Sequence, residues 1–285
     1  MQVGYLGPEG TFSHEAVIGG LAGEGGHELV PLPTIYETVM AVHSSAVEQA
    51  LVPIENSLEG SVNATLDALA METEDVRILG ELVRPIEHCL IARTPLELGE
   101  IEMVVSHPQA SGQCAHFIRT RLPQASVLAG SSTAEAVRTV AEHDGPWAAL
   151  GTRSAAARYG ATVLRAGVED VTDNETRFVW LGRVGSPPGG PGGVPPETAP
   201  WKTAIVFWGV GSEAPGWLVG CLGEFADREV NLTRIESRPR KQGLGRYMFF
   251  CDLEGRDTEP HVAAALAGLA RRVEVLRTLG SFPAA

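Results

Sequence analysis

Metal-ligand spacing is missing from this chain. Its four cysteines, Cys89, Cys114, Cys221 and Cys251, are scattered, with no Cys-x-x-Cys pair. That argues against a zinc-type site and leaves thiols expected to be buried in a reducing compartment. A dinucleotide glycine fingerprint followed by its acidic partner is absent too, so neither a metal nor an organic cofactor is expected. No basic segment followed by an apolar run opens the sequence, and no apolar run approaches the roughly 20 residues of a membrane span. A cytoplasmic protein is the expectation. Positive charge is also scarce: 22 Lys and Arg face 35 Asp and Glu, a net charge of −13, so nucleic acid and anionic membranes would be repelled. Such repulsion is screened over about 8–10 Å, and a cleft can still be locally positive.

What is present is enough for two or three compact units: 285 residues, 44% hydrophobic and 20% charged. Three times in the first half an apolar strand meets a polar turn and then a helix opening. Val3-Gly4-Tyr5-Leu6 leads through Gly7 to Ser13 into a helix from His14; Ala50 to Ile54 leads through Glu55 to Ser61 into the helix of Leu66 and Leu69; Met103-Val104-Val105 leads through Ser106-His107 to Pro108 at a first helical position. Helix starts present unpaired N–H groups and partial positive charge, so several converging on one crevice can bind carboxylates without lysines. In the third helix Gln109 and Gln113 share a face, while Cys114, Phe117, Ile118 and Leu122 form an apolar stripe. Further alternation follows: a strand at Ser126 to Ala129, a helix from Ala134 capped by Ser132 or Thr133, a strand at Trp147 to Leu150, and a helix from Arg153 to Tyr159. It predicts parallel sheets covered by helices on both faces.

Between Val184 and Pro200, eleven of seventeen residues are glycine or proline, the composition of a linker. Beyond it the pattern is strand Thr203 to Phe207, helix Trp217 to Ala226, strands Asn231 to Ser237 and Tyr247 to Leu253, helix Glu259 to Arg272 and strand Val273 to Leu279. That is the βαββαβ order of a ferredoxin-like unit.

Just before the linker, the polar hexapeptide Asp173-Asn174-Glu175-Thr176-Arg177-Phe178 runs into the strand Val179-Trp180-Leu181, where a rigid scaffold can hold reachable side chains. Thr176-Arg177-Phe178 resembles the active-site signature of the prephenate dehydratases. Four further places carry the same resemblance: Gly7 to Phe12, Pro53 to Ser57, Ser106 to Cys114, and Asn231 to Pro239 with its Glu236-Ser237-Arg238-Pro239. The last resembles the regulatory ACT domain found downstream of the catalytic region in that family. The fold implied is α/β: a two-lobed, periplasmic-binding-protein-like catalytic region over 1–183, a linker over 184–200 and a βαββαβ ACT domain over 201–285. The lobes are expected at roughly 1–78 with 174–183, and 79–173.

The resemblance implies decarboxylative dehydration of prephenate to phenylpyruvate, in phenylalanine synthesis, without cofactor. Arogenate dehydratase, and a non-catalytic binding protein that senses amino acids, are the alternatives. It implies Thr176 as the donor to the leaving hydroxyl, with Asn56, Ser106 and Gln113 as neutral donors that orient the substrate. Substrate binding falls to Thr11, Ser57, Gln109, Arg177 and Phe178; Arg177 either takes the side-arm carboxylate or pairs with Glu55 or another acid. His107, beside a helix-starting proline, fits a structural hydrogen bond better than a general acid. L-Phenylalanine is the implied effector, at Gly216, Leu218, Asn231, Leu232, Glu236 and Ser237, between paired ACT domains of a homodimer or homotetramer. Where the family has glycine-alanine-leucine, this chain has Gly216-Trp217-Leu218. An indole turned into the effector site would weaken phenylalanine binding, and Trp217→Ala would tighten it; turned to the core, it would do neither.

Overall fold

The computed structural model describes residues 1–21, 25–192, 198–209, 211 and 214–285. The chain opens with β1 (Gln2–Leu6), α1 (Phe12–Gly20), β2 (Glu28–Leu32), α2 (Ile35–His43) and β3 (Gln49–Asn56). Caps set the helix starts: the Thr11 hydroxyl accepts from His14 N–H, so α1 begins two residues earlier than its sequence suggests, and Thr34 accepts from Glu37 N–H to start α2. A two-residue β4 (Gly60–Ser61) folds back on β3, and α3 (Asn63–Asp67) widens into a π turn over Ala68–Glu72. Then β5 (Val76–Pro85) closes the first lobe.

The second lobe holds β6 (Cys89–Ala92), β7 (Met103–Ser106), α4 (Pro108–Gln113), α5 (Ala115–Arg121), β8 (Ser126–Ala129), α6 (Thr133–Glu142), β9 (Trp147–Gly151), α7 (Arg153–Tyr159) and β10 (Thr162–Ala166). β11 (Glu175–Arg183) returns to the first lobe. It lies between β3 and β5 in a sheet ordered β2-β1-β3-β11-β5; the second sheet is β10-β6-β9-β7-β8. Both sheets are mixed, not parallel as alternation predicted. β11 runs antiparallel to both its neighbours and β6 antiparallel to β9 and β10, because each enters its sheet from the other lobe instead of through a helical crossover. Since β5 pairs with β11 along its length, the chain leaves the first sheet after Pro85, not near residue 78.

Past Arg183, residues 184–192 lie along the first lobe: Val184 N–H bonds Asp75 O, and Gly189 N–H bonds Leu79 O. Residues 193–197 of the expected linker lie outside the described residues. The third unit is β12 (Trp201–Trp208), α8 (Trp217–Ala226), β13 (Leu232–Pro239), β14 (Tyr247–Glu254), α9 (Pro260–Ala270) and β15 (Val275–Pro283), with sheet order β13-β14-β12-β15. The last strand starts two residues late because Glu274 N–H bonds Trp208 O at the turn that precedes it.

This third sheet is buried on both faces. Ile205, Phe207, Cys251 and Leu253 pack on α8 and α9. Val206, Met248, Phe250 and Phe282 pack in one core with Val39, Ile54, Leu66 and Ile78 of the first lobe. Gly280 makes the approach possible, since a Cβ there would lie 2.1 Å from the Ile78 carbonyl oxygen. The third unit therefore sits directly against the back of the sheet that carries β11.

Candidate active site

Between the first two lobes lies a cavity of about 380 Å³, a size suited to a small ligand. Three helix starts open onto it: α1 through Thr11, Phe12 and Ser13, α4 through His107, Gln109 and Ala110, and α6 through Ser131, Ser132 and Thr133. Apolar walls come from Phe12, Ile35, Ile86 and Phe178. Among the described residues neither lysine nor arginine lines it. The local positive potential that the net charge seemed to deny is supplied by backbone N–H groups and hydroxyls at helix ends.

The β11 strand delivers its side chains alternately. Thr176 and Phe178 face the cavity, while Arg177 faces the opposite side of the sheet. There its Nε donates to Glu81 Oε2 at 2.6 Å and its guanidinium to Asp252 Oδ2 at 2.5 Å, with Glu55 3.5 Å away. Its side chain is 11% exposed. Arg177 is thus an ion-pair residue behind the site, not the ligand of a substrate carboxylate. Of the two roles open to it in the sequence, the structure selects the second.

A polar chain fixes the Thr176 hydroxyl. Backbone N–H groups of Leu58 and Glu59, which can only donate, each lie 3.0 Å from Asn56 Oδ1 and so orient that amide. Asn56 Nδ2 is then left to donate to Thr176 Oγ1 at 2.9 Å, Asn174 Oδ1 at 2.7 Å and Glu175 O at 3.0 Å. Beyond it, Asn174 Nδ2 donates to Gln113 Oε1, and Gln113 Nε2 donates to the Glu59 carboxylate. Gln113 Oε1 also receives His88 Nε2–H at 2.9 Å. Burial, opposed by that hydrogen bond, lowers the His88 pKa, so its ring is neutral at pH 7. Thr176 Oγ1 accepts from Asn56, and no acceptor among the described residues takes its own proton. That proton is free to be donated into the cavity.

The sequence-predicted residues separate accordingly. Thr176, Asn56, Gln113, Thr11, Gln109 and Phe178 come together around the cavity. Asn56 and Gln113, however, have both amide ends engaged within the protein, so they position Thr176 and the loop instead of donating to substrate. Ser106 is corrected: it is fully buried, and its hydroxyl donates to Leu150 O. Ser57 stands outside the cavity lining and staples the loop, donating to Asp173 O and accepting from Glu175 N–H. His107 caps α4, its Nδ1 accepting from Gln109 N–H at 3.3 Å. Ser131, Ser132, Thr133, His88 and Phe12 were missed as site residues. The first three had a signal, because Gly130-Ser131-Ser132-Thr133 follows a strand and opens a helix like the three turns that were singled out.

In the third unit Gly216 starts α8 at φ 82°, in the left-handed region. Trp217 turns inward: its ring lies 6.2 Å from Phe207 and 6.0 Å from Phe249, and its Nε1–H donates to Arg272 O. The indole belongs to the core of the unit, so the expected tightening on Trp217→Ala loses its basis. Leu218 is half-buried and packs against that core from its rim. Asn231 and Ser237 are exposed and Leu232 half-buried at the sheet edge. Ser237 pairs with Phe249 and so faces the helix side, while Glu236 pairs with Phe250 and faces the first lobe. The Glu236 carboxylate accepts from the Ser61 hydroxyl at 3.0 Å, which removes it from the effector residues.

Residues 3–186 match the family model described as prephenate dehydratase, and residues 215–271 the model of the ACT domain. The prephenate dehydratase of Mycobacteroides abscessus is 39% identical over 99% of this chain and 90% of that protein. The solved prephenate dehydratase of Arthrobacter aurescens in complex with L-Phe matches with a TM-score of 0.87 at 37% identity, over 99% of this chain and 90% of that one. GqqA, described as a novel type of quorum quenching acylase, matches with a TM-score of 0.84 at 29% identity, over 100% of this chain and 98% of that one. Among the described residues no helix is long and apolar enough to cross a membrane.

Proposed function

Because the chain belongs to the prephenate dehydratase family, we propose that it converts prephenate to phenylpyruvate in the inter-lobe cavity, with Thr176 as the hydrogen-bond donor to the departing hydroxyl. The substrate has two carboxylates and a ring hydroxyl. Breaking the bond from the ring to its carboxylate releases CO2 and sends an electron pair into the ring; that pair expels the hydroxyl, and the ring becomes aromatic. One proton is taken up as the hydroxyl leaves as water.

The protein needs to supply little beyond placement. A free threonine hydroxyl is a very weak acid, so Thr176 holds a hydrogen bond that strengthens as negative charge grows on the leaving oxygen. Accepting a hydrogen bond from Asn56 polarises its own O–H and makes it a better donor. The reacting carboxylate is best left without a tight ion pair, since its charge must flow away, and the walls of Phe12, Ile35, Ile86 and Phe178 suit it. The side-arm carboxylate, in this reading, sits at the starts of α1 and α6, the role first given to Arg177.

One observation carries the proposal: Thr176 Oγ1 accepts from an oriented amide while its proton has no partner among the described residues. The same observation disfavours acyl transfer of the kind named for GqqA. A threonine nucleophile needs a base within hydrogen-bond reach, and the hydroxyl's bonded neighbour here is an amide nitrogen. The test is turnover by purified protein offered prephenate or arogenate. Phenylpyruvate from prephenate is expected; preference for arogenate, or turnover of neither, overturns the reading.

Regulation by L-phenylalanine at the third unit belongs to the same proposal, supported by the ACT match and by the relative solved with L-Phe. Gly216, Leu218, Asn231, Leu232 and Ser237 remain its effector residues. Pairing of two such units is part of this reading and is supported by β13, which stands at the edge of its sheet among the described residues and leaves Ile235 48% exposed. An apolar sheet edge is covered by symmetric pairing in stable proteins. Sedimentation at micromolar concentration should show a dimer or a tetramer, and a stable monomer would refute the pairing.

A further inference from the structure

The third unit reaches the active-site strand through charge. Asp252 on β14 is 4% exposed at its side chain and Glu81 on β5 is 1% exposed, and both close on Arg177, whose backbone neighbours are Thr176 and Phe178. Lys202 on β12 holds the second oxygen of Glu81 at 2.7 Å. On the other flank Arg234 of β13 donates to the Ser61 hydroxyl at 2.6 Å and lies 3.6 Å from Glu55, the residue next to Asn56. Glu236 holds the same Ser61, and Arg238 forks onto both oxygens of Asp67. Alternation along β13 therefore splits its polar segment: Ser237 looks to the effector side, while Arg234, Glu236 and Arg238 grip the first lobe.

These contacts have a geometric consequence. Arg177 sits in register with Glu55 on β3, so its guanidinium ties together the strand of Asn56, the strand of Thr176, and the sheet of the third unit. A buried cation with carboxylates on separate elements responds to displacement of any one of them, because little water is present to compensate. The pull is passed through one peptide unit to Thr176, whose hydroxyl must keep its direction within tenths of an ångström to be useful.

We propose that Arg177 is a positioning residue for Thr176 that takes its setting from the regulatory sheet through Asp252, so that effector binding there is read at the hydroxyl. The inference rests on the dehydratase activity and L-phenylalanine regulation proposed above.

The experiment uses the full chain, measuring prephenate turnover with and without L-phenylalanine and, by calorimetry, L-phenylalanine binding. In Asp252→Asn the effector should bind within about threefold of the wild-type affinity, yet the ratio of turnover with and without it should move to about 1. A ratio unchanged from wild type overturns the proposal. If Asp252→Asn does not fold, Asp252→Glu, which keeps the charge and displaces it by one methylene, is read by the same ratio. Arg177→Lys, which keeps the charge but loses the fork, should lower kcat by at least about tenfold with KM within about twofold. An unchanged kcat, or a loss confined to KM, also overturns it. A wild-type protein that neither turns over prephenate nor binds L-phenylalanine sinks the underlying reading and the inference with it. Regulation that persists in Asp252→Asn beside an active wild type sinks the inference alone.

Discussion

Thr176→Ala is expected to lower kcat for prephenate by about a hundredfold or more, with a much smaller change in KM, the size associated with losing one positioned donor in a site shielded from water. Removing the hydroxyl deprives the leaving oxygen of its hydrogen bond and also leaves Asn56 Nδ2 with one acceptor fewer. The fold should survive, because Asn56 keeps Asn174 Oδ1 and Glu175 O. His107→Asn provides the contrast. His107 lines the cavity but spends Nδ1 on the Gln109 N–H as a helix cap, and asparagine is itself a good cap. Its kcat should fall by well under the threonine loss, to roughly tenfold at most. Steady-state kinetics on both folded variants decide the matter: a larger loss in His107→Asn would move the catalytic donor from the strand to the helix start.

Arg177→Met is expected to be the most destabilising single change around the site, by about 3–5 kcal/mol at neutral pH, the range found when one partner of a buried ion pair is removed. Glu81 and Asp252 would keep their burial and lose their main counter-charge; Lys202 compensates Glu81 only. The pH dependence carries a sign. Burial pushes the Glu81 carboxyl up, but the Arg177 charge and the Lys202 hydrogen bond outweigh it, so the group sits below its ordinary 4.5. A depressed carboxyl contributes stability that is full above the unfolded-state pKa and is lost as pH falls through the folded one. In the variant burial acts with less opposition, and protonation relieves it. The gap between wild type and variant should therefore be widest near neutrality and narrow on acidification below about pH 4.5. Urea unfolding of both proteins at neutral pH and at about pH 4 measures the gap; a gap that is small at neutrality, or that widens with acid, contradicts the ion-pair account.

Much of the fold is local, and so it could be read from the sequence. The α7 and α8 helices fall at the bounds read from the sequence, and the βαββαβ order follows from runs such as Thr203 to Phe207 and Tyr247 to Leu253. Strand direction was not local. β11 and β6 look like any apolar strand, and only the path of the chain between lobes makes them antiparallel to their neighbours. Ser106 shows the same limit in the site. It stands at a strand end beside a helix start, as a donor to substrate would, but the neighbouring β9 offers its Leu150 carbonyl and takes the hydroxyl.

The sequence by itself determined the family, through five separated motifs, and the chemistry those motifs imply, because residue types and spacing survive without coordinates. It also held the alternation that sets Arg177 on the other face from Thr176 and Phe178, since side chains on a strand alternate with a period of two. Tertiary structure decided which face meets the cavity and what meets the other. Two lobes had to close before α1, α4 and α6 could point their starts at one space, and the third sheet had to dock on the first before Asp252 could reach Arg177. Spacing along the chain carries the periodicity of each element; contacts between residues some 75 positions apart depend on how whole elements pack, and that is a property of the assembled core.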